Sequence, residues 1–404
     1  MSTTTVTRPT SSGTVIPVLG AVSVCHLVND MMQALLPAVY PILRGGFDLS
    51  FAQVGVLTLV YQITASILQP LIGFYTDKRP QPYSLPFAML ASMAGLLTLA
   101  FAPSYDVLLV GAAMLGLGSS IFHPESSRIA RLSSGGAHGL AQSVFQVGGN
   151  FGSALGPLLA AYVVLPRGQT GLAWFAIAAL GGMVIMTGLS QWYRGNGHAR
   201  RPEKRTVTRH PSVTTGQVRL AMTVLVVLIF SKYIYLASIT NYYTFYLMHR
   251  FGLTTQSAQL CQFIFFAAVA TGTVIGGPIG DRIGRKKVIW ASILGVLPFT
   301  LELPYVGFSA TVALSIVIGI VISSAFPAIV VYAQELVPGR TGMISGMFFG
   351  LIFGVGGIGA AVLGSLADAS GIEFVYRLCS FLPLIGLLTA LLPNIERNSG
   401  NQTS

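Results

Sequence analysis

Three stretches of this sequence carry ionisable and polar side chains at spacings suited to moving a proton or holding an anion. His26, Asn29 and Asp30 are separated by three and four residues, which on a helix puts them on one face. In that arrangement Asp30 is a candidate proton-carrying carboxylate, and His26 could neutralise it or relay its proton. The bland alternative is a polar cluster that ties one helix to a neighbour. A second stretch holds His123, Glu125 and Arg128 around Pro124. Glu125 and Arg128 are three apart and can pair. An anionic substrate would compete with Glu125 for Arg128, and protonating Glu125 would release Arg128, a physical route to exchange of an anion against a proton. Gln142, Gln146 and Asn150 recur every fourth residue and form a polar stripe that can line a cavity or bond a neighbouring helix. Lys232, Tyr235 and Asn241 make a third group, with Tyr242, Tyr243 and Tyr246 beyond it. Lys232 is expected to meet an anion or a carboxylate. Tyr246 is expected in an interfacial aromatic belt.

The elements that must position these groups follow from composition. The 404 residues are 53% hydrophobic and 9% charged, against about 25% charged in soluble domains. So few charges cannot cover a water-exposed surface, so the apolar excess faces lipid. With about 20 apolar residues per crossing, twelve spans are predicted, near 16–41, 51–75, 84–102, 105–131, 138–165, 171–193, 218–247, 255–280, 287–307, 310–336, 341–367 and 372–392. The runs are long and do not alternate, which indicates helices rather than barrel strands. The expected fold is thus an all-α polytopic membrane protein. An ionisable group inside it costs roughly 2.5–3.5 kcal/mol on insertion scales, so each one needs a partner or a wet cavity.

The net charge is +11. The basic residues fall in short segments between apolar runs, not on a soluble domain, which argues against nucleic acid. Lys78, Arg79, Arg128, Arg131, the segment 194–217, Arg282 to Lys287, Arg340 and Arg397 fall on one side, so both termini are expected in the cytoplasm. The basic linker 194–217 can also touch anionic lipid. It divides a half at 16–193 from a half at 218–393, with tails at 1–15 and 394–404. Cys25, Cys261 and Cys379 are scattered, with neither a disulfide framework nor metal-ligand spacing, so no metal and no cofactor is expected.

The halves repeat. Gly73 to Asp77 and Gly277 to Asp281 stand 204 residues apart, as do Phe122 and Phe326, and Gly135 and Gly339. A parallel duplication of six spans places a substrate site near the midplane between the halves. The stretch Gly277-Pro-Ile-Gly280-Asp281-Arg282-Ile-Gly284-Arg285-Lys286-Lys287 ends the eighth span, with a degraded copy at Gly73 to Arg79. This loop resembles the signature of the major facilitator superfamily, which implies gating roles for Asp77, Asp281, Arg282 and Arg285. Glu335 is the expected partner of the basic residues of the second loop.

In the fifth span, Gly148, Gly149, Gly152, Gly156, Pro157 and Ala160 resemble the antiporter signature of drug–proton exporters, with helix packing as the simpler reading. More narrowly, the chain resembles the fosmidomycin resistance family. The stretches that carry this are His26 to Asp30, Phe122 to Arg128, Gln142 to Gly152, Ser231 to Tyr233, Tyr242 to Tyr246 and Tyr332 to Arg340. The resemblance implies export of small anionic compounds such as fosmidomycin in exchange for protons. The expected protein is a multi-pass monomer of the bacterial inner membrane, with twelve helices in two pseudo-symmetric halves. Proton coupling would fall to Asp30, Glu125 and His26. Substrate contact would fall to Asn29, His123, Arg128, Gln146, Asn150, Lys232, Tyr235 and Asn241. The alternative is proton-coupled uptake of an organic anion. No Gly-x-x-x-x-Gly-Lys-Ser/Thr loop is present, which argues against ATP as the energy source. An enzyme would have to grow from His123 and Glu125, which no metal-ligand set completes.

Overall fold

The structure, a computed structural model, describes residues 14–79, 81–135, 138–196, 214–337 and 341–395. Among the described residues, twelve helical segments are long and apolar enough to cross a membrane. In order they are Ile16–Ala38, Phe51–Thr76, Ser84–Phe101, Tyr105–Leu132, Ser143–Arg167, Gln169–Asn196, Thr215–Phe251, Thr255–Ile275, Arg285–Tyr305, Phe308–Leu336, Gly350–Ser370 and Ile372–Leu391. They are called here the first to twelfth spans. Large apolar side chains such as Phe74, Phe87, Ile177, Val184 and Val362 point outward, as a lipid-facing surface requires.

The duplication is visible in the helix ends. The second span begins at Phe51 and the eighth at Thr255, an offset of 204. Both starts are capped alike. Ser50 Oγ accepts from Gln53 N, and Thr254 Oγ1 accepts from Ser257 N, each satisfying an amide that a helix start would orphan.

Interruptions occur where proline removes a donor. The first helix ends at Ala38 just after Pro37, and a short helix, Tyr40–Phe47, resumes beyond Val39. Past Pro157 the fifth span passes into a π-helical turn, Ala160–Val164. Pro124 does not break the fourth span, which is helical from Tyr105 to Leu132.

The halves are tied together at the starts of the second and eighth spans. Asp368 of the eleventh span accepts from Phe51 N at 2.8 Å and Ala52 N at 2.7 Å, occupying the free amides of the second span. Gln259 Nε2 donates to Ala38 O at 2.8 Å. Thr58 Oγ1, held by Tyr40 at 2.5 Å, donates to Asn241 Oδ1 at 2.7 Å. Further along the second span, Ser66 Oγ donates to Gly350 O at 2.7 Å.

Candidate proton and substrate site

The first and fourth spans bring His26, Asp30 and His123 together. His26 Nε2 lies 3.2 Å from Asp30 Oδ2, and His123 Nε2 lies 3.4 Å from Asp30 Oδ1. Asn29, fully enclosed, donates from Nδ2 to Asp30 Oδ1 at 3.0 Å. The rings are packed by aromatic neighbours. His26 stacks on Phe145 with centroids 4.0 Å apart, and His123 meets His26 edge-on at 5.2 Å. Phe353, from the second half, approaches His123 at 6.1 Å. His26 is buried, whereas Asp30 and His123 keep 17% and 18% of their side chains accessible, so water reaches the carboxylate from one side.

The fifth span makes this convergence possible. Gly148, Gly149, Gly152 and Gly156 all lie against the first span. A Cβ on Gly149 would stand 2.5 Å from His26 Nε2 and 2.7 Å from Asp30 Oδ2. The glycine run therefore serves helix packing, and at Gly149 it also serves the polar cluster.

The outer nitrogens fix the chemistry of the inner ones. His26 Nδ1 faces Phe145 O at 2.8 Å, and His123 Nδ1 faces Ser119 O at 3.0 Å. A carbonyl oxygen only accepts, so each Nδ1 carries a hydrogen and each Nε2 is turned to the carboxylate. Two Nε2···O contacts meet one carboxylate. Satisfying both takes two protons. With one proton, one contact is left as lone pair against lone pair. The geometry therefore offers one carboxylate to two Nε2 atoms.

One turn and a half further along the fourth span, Arg128 forms a second centre. Its Nη1 lies 3.1 Å from Glu125 Oε1 and donates to Thr76 O at 3.0 Å, while Nη2 donates to Thr76 Oγ1 at 3.1 Å. The guanidinium thus joins the fourth span to the end of the second instead of only reaching for the surface. Glu125 is 1% exposed and Arg128 19%, so the carboxylate is enclosed and the guanidinium is only partly so.

The other sequence-predicted groups are distributed more widely. Asn150, with Val147 and Phe151, lines a crevice against Ala270, Thr271, Val274 and Ile275 of the eighth span. Its buried Nδ2 has no hydrogen-bond partner among the described residues. Gln146 is half-buried one turn away, and the side chain of Gln142 lies outside the described residues. Lys232 is 3% exposed, its ammonium 5.2 Å from the Tyr233 ring centroid. Tyr235 is buried, and Asn241 belongs to the tie between the halves. Tyr246 departs from the belt expectation. It is fully buried and stacked on Tyr376 at 4.0 Å, because the seventh span turns that face toward the twelfth-span region and not toward lipid. Arg285 pairs with Glu335, the partner expected for it. The side chains of Asp77, Asp281 and Arg282 lie outside the described residues.

The second half has no counterpart of this site. At the 204-residue offset, His26, Asp30, His123, Glu125 and Arg128 correspond to Phe230, Ile234, Pro327, Ile329 and Tyr332. Sequence reasoning missed Thr76, Ser119 and Asp368, and named Gly149 only as one of a run. Gly149 had a signal in the glycine run; the others become visible only when helices are packed.

A duplicated bundle of twelve spans with a polar site inside one half defines a class, and comparison with known proteins agrees. The sequence matches the Major Facilitator Superfamily over residues 22–261 and 225–404. It is 55% identical over 385 residues to the fosmidomycin resistance protein of Escherichia coli strain K12, covering 95% of each chain. It is 42% identical over 386 residues to an uncharacterized MFS-type transporter, YfnC, of Bacillus subtilis strain 168, covering 95% of this chain and 94% of that one. Among solved structures, a bacterial homolog of the human lysosomal transporter Spinster, in an inward-facing and unoccupied conformation, superimposes with TM-score 0.76 at 13% identity, covering 96% of this chain and 98% of that one. The nucleoside transporter NupG superimposes with TM-score 0.73 at 12% identity, covering 93% and 100%. The chain belongs to the major facilitator superfamily, and within it to the family of the fosmidomycin resistance protein. It is a multi-pass membrane transporter, not an enzyme.

Proposed function

We propose that this protein is a proton-coupled antiporter that exports small anionic compounds, fosmidomycin among them, across the bacterial inner membrane, with both termini in the cytoplasm. The observation that supports the coupling is the His26–Asp30–His123 geometry, in which one carboxylate serves two Nε2 atoms; on this reading the cluster holds one proton or two. The relative named for fosmidomycin resistance supplies the substrate class.

Antiport requires proton and substrate to exclude each other. The Glu125–Arg128 pair alone has the opposite sign, since neutralising Glu125 frees Arg128 for an anion and so favours joint movement. Exclusion then rests on the His26–Asp30–His123 cluster. With one proton, a free Nε2 lone pair accepts from an acidic O–H of the substrate while Arg128 holds the charged group. With two protons, both Nε2 atoms donate to Asp30 and that acceptor is gone. Asn150 offers an unsatisfied amide for a further substrate contact. The halves then rock about this site, with the Asp368 tie closing the outer end and the Arg285–Glu335 pair belonging to the cytoplasmic gate.

The sign of the Glu125–Arg128 pair is the one observation that favours the other reading, proton-coupled uptake of an organic anion. Everted vesicles acidified inside by respiration separate the two. Antiport gives a rise in luminal pH when fosmidomycin is added outside. The uptake reading gives none, because a symporter cannot exchange luminal protons for external substrate.

A further inference from the structure

We propose that His26, Asp30 and His123 form a three-ligand site for a divalent transition-metal ion of the zinc class, with the ion standing in place of the Nε2 protons. The inference goes beyond the proton role and stands on geometry whether or not the carrier is proton-coupled. One ligand atom from each residue, two imidazole nitrogens and a carboxylate oxygen, all lie within 4.8 Å of one another. Zinc bonds to nitrogen and oxygen at about 2.0–2.2 Å in tetrahedral sites, which sets neighbouring ligand atoms about 3.3–3.4 Å apart. His26 Nε2 already stands 3.2 Å from Asp30 Oδ2 and His123 Nε2 3.4 Å from Asp30 Oδ1, so each imidazole is at that spacing from one oxygen of the carboxylate. Closing the set on one ion takes a turn of the carboxylate and a closer approach of the rings.

The surroundings fit a metal site as well as the ligands do. A metal-binding histidine holds its second N–H on a carbonyl or carboxylate, which fixes ring orientation and leaves the other nitrogen as the ligand. Both rings meet this condition through the carbonyls of Phe145 and Ser119. The carboxylate has its own support in the Asn29 amide at 3.0 Å. Gly149, without a side chain, lets His26 and Asp30 close on each other. The partial accessibility of Asp30 and His123 provides an entry path and a fourth position for water or an oxygen of a phosphonate. Two imidazoles and one carboxylate suit zinc, not magnesium or calcium, which demand more oxygen ligands. Binding requires both Nε2 atoms as lone-pair donors, so any proton on them leaves to solvent, and a zinc-loaded carrier cannot be protonated there.

The test uses the purified full-length protein, stripped of metal and titrated with zinc chloride by calorimetry in the presence of excess magnesium. One zinc per chain is expected. Losing a partner of a ligand typically weakens metal affinity about 10–100-fold, so loss of a ligand in Asp30→Asn, His26→Gln or His123→Gln should weaken it by more than that. His249→Gln should leave it unchanged; His249 lies 3.7 Å from Glu373 on the surface and is the competing site. Zinc K-edge absorption on the loaded wild type is the second measurement, independent of how the variants fold, and should report histidine nitrogens at about 2.0–2.1 Å. Absence of one-to-one binding overturns the proposal, as do zinc retained by folded Asp30→Asn and His123→Gln variants, binding lost in His249→Gln, or an edge spectrum without histidine.

Discussion

Gly149→Ala and Gly152→Ala, one turn apart on the same helix, should fail in opposite ways. Ordinary van der Waals contact begins near 3.4 Å, and a Cβ on Gly149 would lie 2.5 Å from His26 Nε2, so about 0.9 Å of displacement is needed. The atoms it meets are the ends of two side chains, which can swing. Moving either by that amount stretches the 3.2 Å His26–Asp30 contact to about 4 Å, beyond hydrogen-bond range. A hydrogen bond to a charged group contributes about 1.5–3 kcal/mol, equivalent to roughly 10–150-fold in proton occupancy or transport rate. A Cβ on Gly152 instead meets the Leu27 backbone, at 2.9 Å from its carbonyl carbon and 3.0 Å from Cα. Backbone cannot swing aside, so the first and fifth spans must part, at an overpacking cost of about 1–3 kcal/mol. Gly149→Ala should therefore lose transport with little loss of thermal stability, and Gly152→Ala should lose more stability. Gly20→Ala and Gly181→Ala, with nothing within 4 Å, serve as controls. Unfolding temperature in detergent and fosmidomycin-driven pH change in vesicles, per unit of protein, measure both. A folded Gly149→Ala that transports at the wild-type rate would refute the reasoning.

Asp368→Asn removes the charge at the start of the second span and one of two equivalent acceptors. Loss of a charge–helix-terminus interaction of about 0.3–2 kcal/mol should speed hydrogen exchange of the Phe51 and Ala52 amides roughly 2–30-fold; unchanged exchange would count against the tie. Arg128→Ala leaves Glu125 buried without this cation and should destabilise by about 3–5 kcal/mol. Adding Glu125→Gln should restore stability but not fosmidomycin affinity, and recovery of both in a binding assay would remove Arg128 from substrate contact. Tyr246→Phe should be near neutral, since its buried hydroxyl has no partner among the described residues, whereas Tyr246→Ala should cost about 3–5 kcal/mol. A near-neutral alanine variant in thermal unfolding would return Tyr246 to the membrane surface.

Much of the architecture was legible because lipid imposes a simple ruler. The predicted starts at 16, 51, 84, 105, 255 and 372 coincide with the spans found. Pairs within one helix were equally readable, as with His26 and Asp30 at four residues or Glu125 and Arg128 at three, since helix geometry alone puts them side by side. The Arg285–Glu335 pair was reachable through the loop signature. What sequence did not give depends on how helices cross. That His123 turns to the second oxygen of Asp30, the one that also accepts from Asn29, follows from the packing of the fourth span on the first. That Asp368 reaches the second-span amides follows from contact between the halves. Tyr246 was misjudged for the same reason, because a tyrosine near a helix end reads alike whether it meets headgroups or Tyr376.

Proton release on substrate binding tests the central claim most directly. Purified protein in weakly buffered detergent solution is mixed with fosmidomycin, and the pH change is compared with that of Asp30→Asn under the same conditions. Mutual exclusion at His26, Asp30 and His123 requires wild-type protein to release about one proton per substrate bound and the variant to release none. Proton uptake on binding, or the same release from Asp30→Asn, would contradict the account.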